Sequence, residues 1–190
     1  MMKRASIALA VVLAAAAVPL QAQTGFYVGA QVTGASLSYK DAAEKLDFGS
    51  GFGVHAGITL GSSFGVLANY DKNTLGSSGG DTELGQWDLL ARLGFVGVGP
   101  VKTYLTGGIT GRVAKSPTFD GGVGDYEFSG TNPTAGVAAQ VFVTNKLAID
   151  GSVLWTFGKF GDTGGYNASR VEATGSRVSV GASWYLLGGK

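Results

Sequence analysis

The chain contains one histidine, His55, the side chain best suited to acid and base chemistry near neutral pH. A serine nucleophile would need this imidazole within hydrogen-bond reach, yet no serine stands two residues away on the same face of its segment. We therefore interpret His55 as an interior hydrogen-bonding residue and expect no catalytic site. With 0 Cys and 1 His, the chain also lacks the usual zinc ligands, so we expect no metal and no cofactor.

The charged side chains of the apolar segments form the second chemical pattern. Within these segments nearly every charge falls on the parity opposite to the large apolar residues, and only Glu83 and Glu172 are assigned to the apolar parity. Such sorting indicates elements in which alternate residues face different environments. Six charges are predicted to share the polar face: Asp88, Arg92, Lys102, Arg112, Asp150 and Arg177.

The composition restricts the elements that position these charges. Of 190 residues, 33 are Gly, 45% are hydrophobic and only 14% are charged, which disfavours both disorder and a helical bundle. Eight segments of alternating polarity follow one another, and short connections alternate with long ones. They predict strands at Phe26–Ser38, Ser50–Leu60, Phe64–Lys72, Glu83–Phe95, Val101–Val113, Asn132–Val143, Leu147–Gly158 and Val171–Leu187. Pro133 is expected at the start of the sixth strand.

The first 22 residues differ from the rest. Lys3 and Arg4 precede an apolar run, and the stretch ends in Ala22, as in a secretory signal peptide. We predict cleavage there, giving a signal peptide at 1–22 and one barrel domain at 23–190. Removing two of the 14 basic residues leaves 12 against 13 acidic ones, so the domain offers no basic field for nucleic acid.

The face on which the charges lie distinguishes a membrane-spanning barrel from a water-soluble one. A water-soluble barrel would carry its charges outside, whereas here the apolar parity must face outward and the charges inward. We therefore predict an all-β fold: an eight-stranded antiparallel up-and-down transmembrane β-barrel, with aromatic residues near both ends of the strands. Its N- and C-termini are expected in the periplasm and its longer loops outside the cell.

The domain resembles the small eight-stranded bacterial outer-membrane proteins of the OmpX and OmpW kind. Such proteins usually end in a segment that the barrel-insertion machinery recognises. Its order is a polar residue, any residue, Gly, any two residues, an aromatic residue, any residue, and finally an aromatic or apolar residue. Ser179, Gly181, Trp184 and Leu186 match that order. The resemblance implies an outer-membrane location, with membrane lipids and the insertion machinery as partners.

Two interpretations of the interior remain open. The first is a closed polar plug in which Asp88 and Asp150 pair with the basic residues, and the second is a narrow channel that favours anions. The plug is predicted to contain His55, Asp88, Arg92, Lys102, Tyr104, Arg112, Gln140, Asp150 and Arg177. Large apolar residues also face inward, at Leu67, Leu84, Leu90, Phe142 and Leu154.

The long loops are the other candidate surface. They are predicted to hold eight of the 13 acidic residues, together with Phe119, Tyr126, Phe128, Phe160 and Tyr166. Loop aromatics either bind an extracellular ligand or fold back over the barrel mouth. We expect a structural or surface-interaction role, with a small-solute channel as the alternative and a lipid-modifying enzyme as the third candidate.

Overall fold

The computed structural model describes residues 24–40, 48–61, 63–76, 80–116, 126–162 and 171–188. The predicted signal peptide lies outside these residues. Eight antiparallel strands form a closed barrel in which each strand pairs with its neighbours in sequence and β1 pairs with β8. The strands are β1 Thr24–Tyr39, β2 Gly49–Leu60, β3 Phe64–Leu75, β4 Thr82–Val98, β5 Val101–Ser116, β6 Tyr126–Phe142, β7 Leu147–Asp162 and β8 Val171–Leu187.

The two ends of the barrel differ. Three short connections, at 61–63, 99–100 and 143–146, lie at the end where β1 begins and β8 finishes, which we call the turn end. At one of them Gly99 has a φ of 59°, a left-handed conformation that glycine adopts without strain. The strand ends that precede and follow the four longer connections lie at the opposite end, which we call the loop end. The described residues include no helix with the length and hydropathy needed to cross a bilayer.

The eight predicted strands are confirmed, but most of them extend further toward the loop end than the sequence pattern indicated. The largest difference is β6, which begins at Tyr126 rather than Asn132. Pro133, predicted at a strand start, therefore lies inside the strand, where it has no N–H to donate. The β6–β7 pairing is interrupted beside it, between the pairs Ser129↔Gly161 and Thr134↔Thr156. The side chain of Asn132 compensates, because its Oδ1 accepts a hydrogen bond from the backbone N of Lys159 at 2.9 Å.

The outer face is apolar, as the alternation predicted. Aromatic side chains lie outward near both ends, so that two belts flank an aliphatic middle. Toward the turn end these include Phe95 and Trp184, and toward the loop end Phe52, Tyr70 and Phe157, each at least half exposed. Within the apolar zone the charges and most other polar groups lie inside, where they face one another across a narrow space, whereas the other charged residues of the described strands face outward only at the loop end.

Candidate functional site in the barrel interior

The middle of the barrel holds a buried ion-pair cluster. The guanidinium of Arg177 on β8 donates through Nη1 to Asp71 on β3 and through Nη2 to Asp88 on β4. All three side chains are almost wholly buried, with 4%, 0% and 3% of their surface exposed. Two carboxylates against one cation need further donors, because a buried charge is costly unless its remaining acceptor positions are satisfied.

Amide and hydroxyl groups supply those donors. Asn69 Nδ2 donates to Asp71 Oδ1 at 2.9 Å and to Asp88 Oδ2 at 2.8 Å, while Asn73 Nδ2 donates to Asp71 Oδ2 at 2.7 Å. Thr110 Oγ1 donates to Asp88 Oδ1 at 2.5 Å. Every oxygen of the two carboxylates therefore accepts at least one hydrogen bond. We call this the central network: Asn69, Asp71, Asn73, Asp88, Thr110 and Arg177.

Hydroxyl groups extend the central network around the barrel wall. Thr110 Oγ1 lies 2.6 Å from Thr134 Oγ1, which lies 2.8 Å from Thr156 Oγ1, so the chain of hydroxyls crosses from β5 to β7. On the other side, Thr33 Oγ1 donates to Asn73 Oδ1 at 2.7 Å. The central network thus contacts hydroxyl groups on β1, β6 and β7 in addition to its own strands.

A second network, nearer the turn end, surrounds Asp150. Its Oδ1 accepts from Gln140 Nε2 at 2.6 Å and its Oδ2 accepts from Ser183 Oγ at 2.5 Å. Gln140 Oε1 in turn accepts from the hydroxyls of Tyr104 and Tyr185, at 3.1 and 3.0 Å. We call this group the tyrosine network: His55, Tyr104, Gln140, Asp150, Ser183 and Tyr185.

Arg92 adjoins the tyrosine network and forms no ion pair with a carboxylate of the described residues. Its Nη1 donates to the hydroxyl of Tyr27 at 3.0 Å, and its guanidinium carbon lies 5.6 Å from the centre of the Tyr104 ring. Tyr27 also packs against Tyr185, with ring centres 4.9 Å apart. A guanidinium over an aromatic face gains electrostatic stabilisation, which here partly replaces an acidic partner.

Apolar side chains close the interior on both sides of the central network. The turn-end cluster combines Leu67, Leu90, Phe142, Ala148 and Leu154 with Tyr27 and Tyr185. The loop-end cluster is made of Ala35, Leu37, Leu75, Leu84, Ala114, Phe160 and Ala173. All five inward apolar residues noted in the sequence lie in these two clusters.

The structure changes the predicted pairing of the interior charges. Arg177 pairs with Asp88 as the plug interpretation requires, but Asp150 is bonded to neutral groups. Lys102 lies half-buried with its ammonium 4.8 Å from the centre of the Phe142 ring, and Arg112 Nη2 donates to the carbonyl of Ala173 at 3.1 Å. These partners differ because parity fixes the face of a residue but not its height in the barrel.

Asp71 is the charge that the sequence interpretation left out. It shares the inward parity of β3 with Asn69 and Asn73, but it is missing from the six charges predicted for the polar face, of which four are basic and two acidic. Among the described residues the interior charges are therefore four basic and three acidic, which weakens the excess of basic groups that favoured an anion channel. The signal for Asp71 was present in the alternation of β3.

His55 does have a serine partner, supplied by another strand. Its Nε2 lies 2.8 Å from Ser183 Oγ, which also contacts Asp150. The arrangement differs from a catalytic triad, in which the acid orients the imidazole and the serine donates to it. Here Ser183 donates to Asp150, and His55 Nε2 stands 3.8 Å from Asp150 Oδ2. Ser183 has 0% of its surface exposed, so a substrate has no direct access to its hydroxyl.

Several buried polar atoms have no hydrogen-bond partner among the described residues. They include His55 Nδ1, Gln86 Oε1, Arg92 Nε and Thr106 Oγ1. Buried polar atoms of this kind are commonly satisfied by internal water. The described residues contain no group of three or more His, Cys, Asp or Glu side chains arranged to hold a metal ion.

The residues of the predicted insertion signal lie in β8. Trp184 and Leu186 point outward with 50% and 48% of their surface exposed, whereas Ser179 is buried and lies 2.7 Å from Ser152 Oγ. Gly181 fits against β1, since a Cβ atom there would stand 2.4 Å from the carbonyl oxygen of Ala30. Their role in recognition stays a prediction.

The loop end carries a ring of outward ion pairs. Lys72 pairs with Glu83 at 2.8 Å, Lys115 with Glu127 at 3.3 Å, and Glu172 with two lysines, Lys40 at 3.0 Å and Lys159 at 3.1 Å. The assignment of Glu83 and Glu172 as the only charges on the outer parity was therefore wrong. The four lysines lie on the same outer face as these glutamates, at the level where the strands extend beyond the apolar zone.

The predicted loop surface is only partly described. Asp41, Glu44, Asp47, Asp120, Asp125, Phe119 and Tyr166 lie outside the described residues. Phe160, predicted in a loop, is 1% exposed within β7, and Phe128 packs against the loop-end cluster from β6. These two aromatics close the barrel mouth rather than project from it, because the strands are longer than the alternation suggested.

Comparison with known proteins places this barrel in a family. The profile of the outer membrane protein beta-barrel domain matches residues 5–184, so the chain belongs to that family and resides in the bacterial outer membrane. No match is found among curated protein sequences.

Solved structures with the same fold share little sequence with this chain. Neisserial surface protein A is 21% identical, with a TM-score of 0.64 over 84% of this chain and 96% of its own. Ail of Yersinia pestis, in complex with the heparin analogue sucrose octasulfate, is 17% identical, with a TM-score of 0.59 over 86% and 99%. OprG from Pseudomonas aeruginosa is 10% identical, with a TM-score of 0.55 over 87% and 97%.

Proposed function

We propose that this outer-membrane barrel conducts no solutes and acts at the cell surface through its loop end. The observation that carries the proposal is the central network, in which Arg177 joins Asp71 and Asp88 across the interior. An eight-stranded barrel is only wide enough for side chains to fill it. A bridge between β8 and the β3–β4 hairpin therefore occupies the path that an ion would take.

The apolar clusters support the same proposal. An ion moving along the axis would have to pass the turn-end cluster, where Leu90 and Tyr185 are each 1% exposed, and then the loop-end cluster around Leu75 and Phe160. The hydroxyls of Tyr27 and Tyr185 are bonded to Arg92 and Gln140, and the remaining side chains of the two clusters are hydrocarbon, which cannot replace the hydration shell of an ion. The interior side chains thus serve stability, and interaction with other molecules is left to the outer surface.

Planar bilayer recordings test the absence of conduction. Refolded protein, checked for an intact barrel by its heat-dependent gel shift, is expected to give no current steps above the empty bilayer. Regular steps from gel-shifted protein would contradict the proposal. Denatured protein that fails the gel shift is the matched control for leaks caused by poor insertion.

The role at the cell surface depends on the loop end lying outside. The connections there carry more acidic than basic residues, which favours partners with basic surfaces. The complex of Ail with a heparin analogue shows that a barrel of this fold can take a ligand, although the partner of this chain need not be similar. Protease added to intact cells is expected to cut this protein in its loops, and cleavage only after outer-membrane permeabilisation would contradict the orientation.

A narrow channel is the second candidate, favoured by the buried polar atoms without protein partners. Gln86 Oε1, Thr106 Oγ1 and Arg92 Nε have no partner among the described residues and point to internal water in the barrel. Such water would give conduction only if one cluster opened. Flux through wild-type protein that passes the gel-shift check would support the channel, and a higher flux in Phe160→Ala would place its narrowest part at the loop-end cluster.

We also propose that the protein is not an enzyme. Support comes from the burial of Ser183 and from the direction of its hydrogen bond, toward Asp150 rather than toward His55. A lipid substrate would have to reach this group through the barrel wall.

A further inference from the structure

Arg92 is a buried cation whose hydrogen bonds are incomplete. The residue is only 6% exposed, and its Nη1 donates to the hydroxyl of Tyr27 at 3.0 Å. Its Nε has no hydrogen-bond partner among the described residues. A charge removed from water is costly unless an opposite charge lies against it. This guanidinium therefore requires more than the tyrosine that it contacts.

A second donor without a partner lies directly beside it. Thr106 is also 6% exposed and is the partner of Arg92 in the β4–β5 pairing, so both side chains enter the interior side by side. Residues paired in this way have Cβ atoms about 4.5–5.5 Å apart. The Thr106 hydroxyl has no partner among the described residues either. The two groups are therefore close enough to bind one small ligand together.

The neighbouring positions leave space at this level. Gly65 is the β3 partner of Arg92, and Gly136 is the β6 partner of Thr106, and neither has a side chain that could fill the interior or bond the two groups. Leu154 packs over Gly136, since a Cβ atom there would stand 2.8 Å from its Cδ2. The space is thus bordered by hydrocarbon, which strengthens the attraction between a cation and any anion beside it.

The charges of the turn-end half are unbalanced. Among the described residues this half contains two inward basic groups, Arg92 and the half-buried Lys102, and one acidic group, Asp150. Both carboxylate oxygens of Asp150 accept hydrogen bonds from neutral side chains, those of Gln140 and Ser183. The excess in this half of the interior is one positive charge.

We propose that the interior binds one small monovalent anion, of the size of chloride, between the Arg92 guanidinium and the Thr106 hydroxyl. An anion only accepts hydrogen bonds, and it would receive the Nε–H of Arg92 and the O–H of Thr106. The proton of the Tyr27 hydroxyl, which is not used in its bond to Arg92, is a third donor. A water molecule could complete these bonds but could not neutralise the guanidinium.

The size of the anion is limited by the fold. An eight-stranded barrel is only wide enough for side chains to fill it, so a halide is accommodated where a larger oxyanion is not. The turn-end cluster encloses the ion, which therefore stabilises the barrel and gives no current. The site is independent of the proposed role at the cell surface, because it lies in the interior and needs no loop.

The first test measures stability against chloride. Refolded protein is compared in sodium chloride and in sodium gluconate at equal ionic strength, and chloride is expected to raise the urea midpoint of the heat-dependent gel shift, since an ion that binds only the folded state stabilises it. Bromide is expected to act as chloride does, and sulfate is expected to give no such increase. A midpoint that does not depend on chloride, or an equal increase in sulfate, would overturn the proposal.

The second test assigns the effect to the two donors. Thr106→Val keeps the shape but removes the hydroxyl, and it is expected to weaken chloride binding about 10- to 100-fold, whereas Thr106→Ser is expected to retain it. Thr156→Val is the matched control, because it removes a buried hydroxyl that bonds only Thr134. Arg92→Gln is expected to abolish the dependence on chloride. An equal loss in Thr106→Val and Thr156→Val would overturn the site.

The Arg92 Nε–H signal in nitrogen NMR spectra reports the site directly. It is identified by its loss in Arg92→Gln, and replacing gluconate by chloride is expected to shift it until the site is saturated. The Nε–H of Arg177 is the control and is expected to stay unmoved, since its guanidinium is bonded to Asp71 and Asp88. An Arg92 signal that does not respond to chloride would mean that water alone completes the hydrogen bonds, and the proposal would be wrong.

Discussion

The indole of Trp87 on β4 covers Gly111 on β5, so closely that a Cβ atom on this glycine would stand 2.1 Å from Trp87 Nε1. The two residues are direct partners in the β4–β5 pairing and both face outward. A glycine is required there because the ring lies on the backbone of the neighbouring strand. This contact fixes an aromatic side chain of the loop-end belt without any contribution from the interior.

The variant Gly111→Ala is therefore expected to displace the Trp87 ring and to lower the free energy of unfolding by about 1–3 kcal/mol, the usual cost of overpacking. The measurement is the urea concentration at which the heat-dependent gel shift of vesicle-inserted protein is lost. Gly107→Ala is the matched control, since its Cβ would meet no atom closer than 3.9 Å on the same face of β5. Equal midpoints for the two variants would show that the ring contact is not restrictive.

A second prediction concerns the interruption of the β6–β7 pairing beside Pro133. Asn132 Oδ1 accepts from the backbone N of Lys159, so Asn132→Ala leaves this amide without its acceptor. We expect faster hydrogen exchange at Lys159 and a loss of about 1 kcal/mol of stability. Thr131→Ala, which changes the exposed residue next to Asn132, is the control. An unchanged exchange rate at Lys159 would show that the side chain does not replace the missing ladder bond.

The fold was predictable from sequence because a barrel in a membrane imposes a strict alternation. The alternation in β2 indicates which environment lies on each side of the strand. One parity carries Val54, Ala56 and Ile58, and the other carries Gly53, His55 and Gly57. Strand ends were less predictable. At the loop end the polarity of the two faces is reversed, because charged residues such as Glu127 and Lys159 face outward while Phe160 packs in the apolar loop-end cluster; the membrane pattern therefore stops before the backbone pairing does.

The interior partners could not be predicted, for a geometric reason. Arg177 is separated from Asp71 by 106 positions and from Asp88 by 89, and closure of the barrel brings them together. Parity placed all three inside, but the stagger of the strands determines which inward residues share one level. The same stagger brings Ser183 to His55 from a distance of 128 positions, which no local spacing rule could find.

The grouping of His55, Ser183 and Asp150 allows a direct test of the proposed absence of enzymatic activity. Protein in vesicles of phospholipid and glycolipid is expected to release no fatty acid, and His55→Ala and Ser183→Ala are expected to match the wild type in mass spectra of the lipids. The physical reason is that Ser183 is fully buried and its proton is committed to Asp150. Fatty-acid release by the wild type that both variants abolish would establish a lipid-modifying enzyme instead.

The last prediction concerns the bridge across the interior. Replacing Arg177 by Leu leaves Asp71 and Asp88 close together in a buried space with only amide and hydroxyl donors. Breaking one partner of a buried ion pair typically costs about 3–5 kcal/mol, and we expect a loss of this size in the free energy of unfolding. The urea midpoint of the gel shift measures it.

A combined variant separates the charge from the shape of the bridge. In Arg177→Leu with Asp71→Asn and Asp88→Asn, no uncompensated charge remains, so most of the lost stability should return, as buried ion pairs are often replaceable by neutral groups. Continued instability of the triple variant would mean that the guanidinium is needed for packing. Wild-type stability of Arg177→Leu alone would contradict a stabilising role for the bridge, because removing the guanidinium leaves two adjacent buried carboxyl groups that must either repel each other or take up a proton.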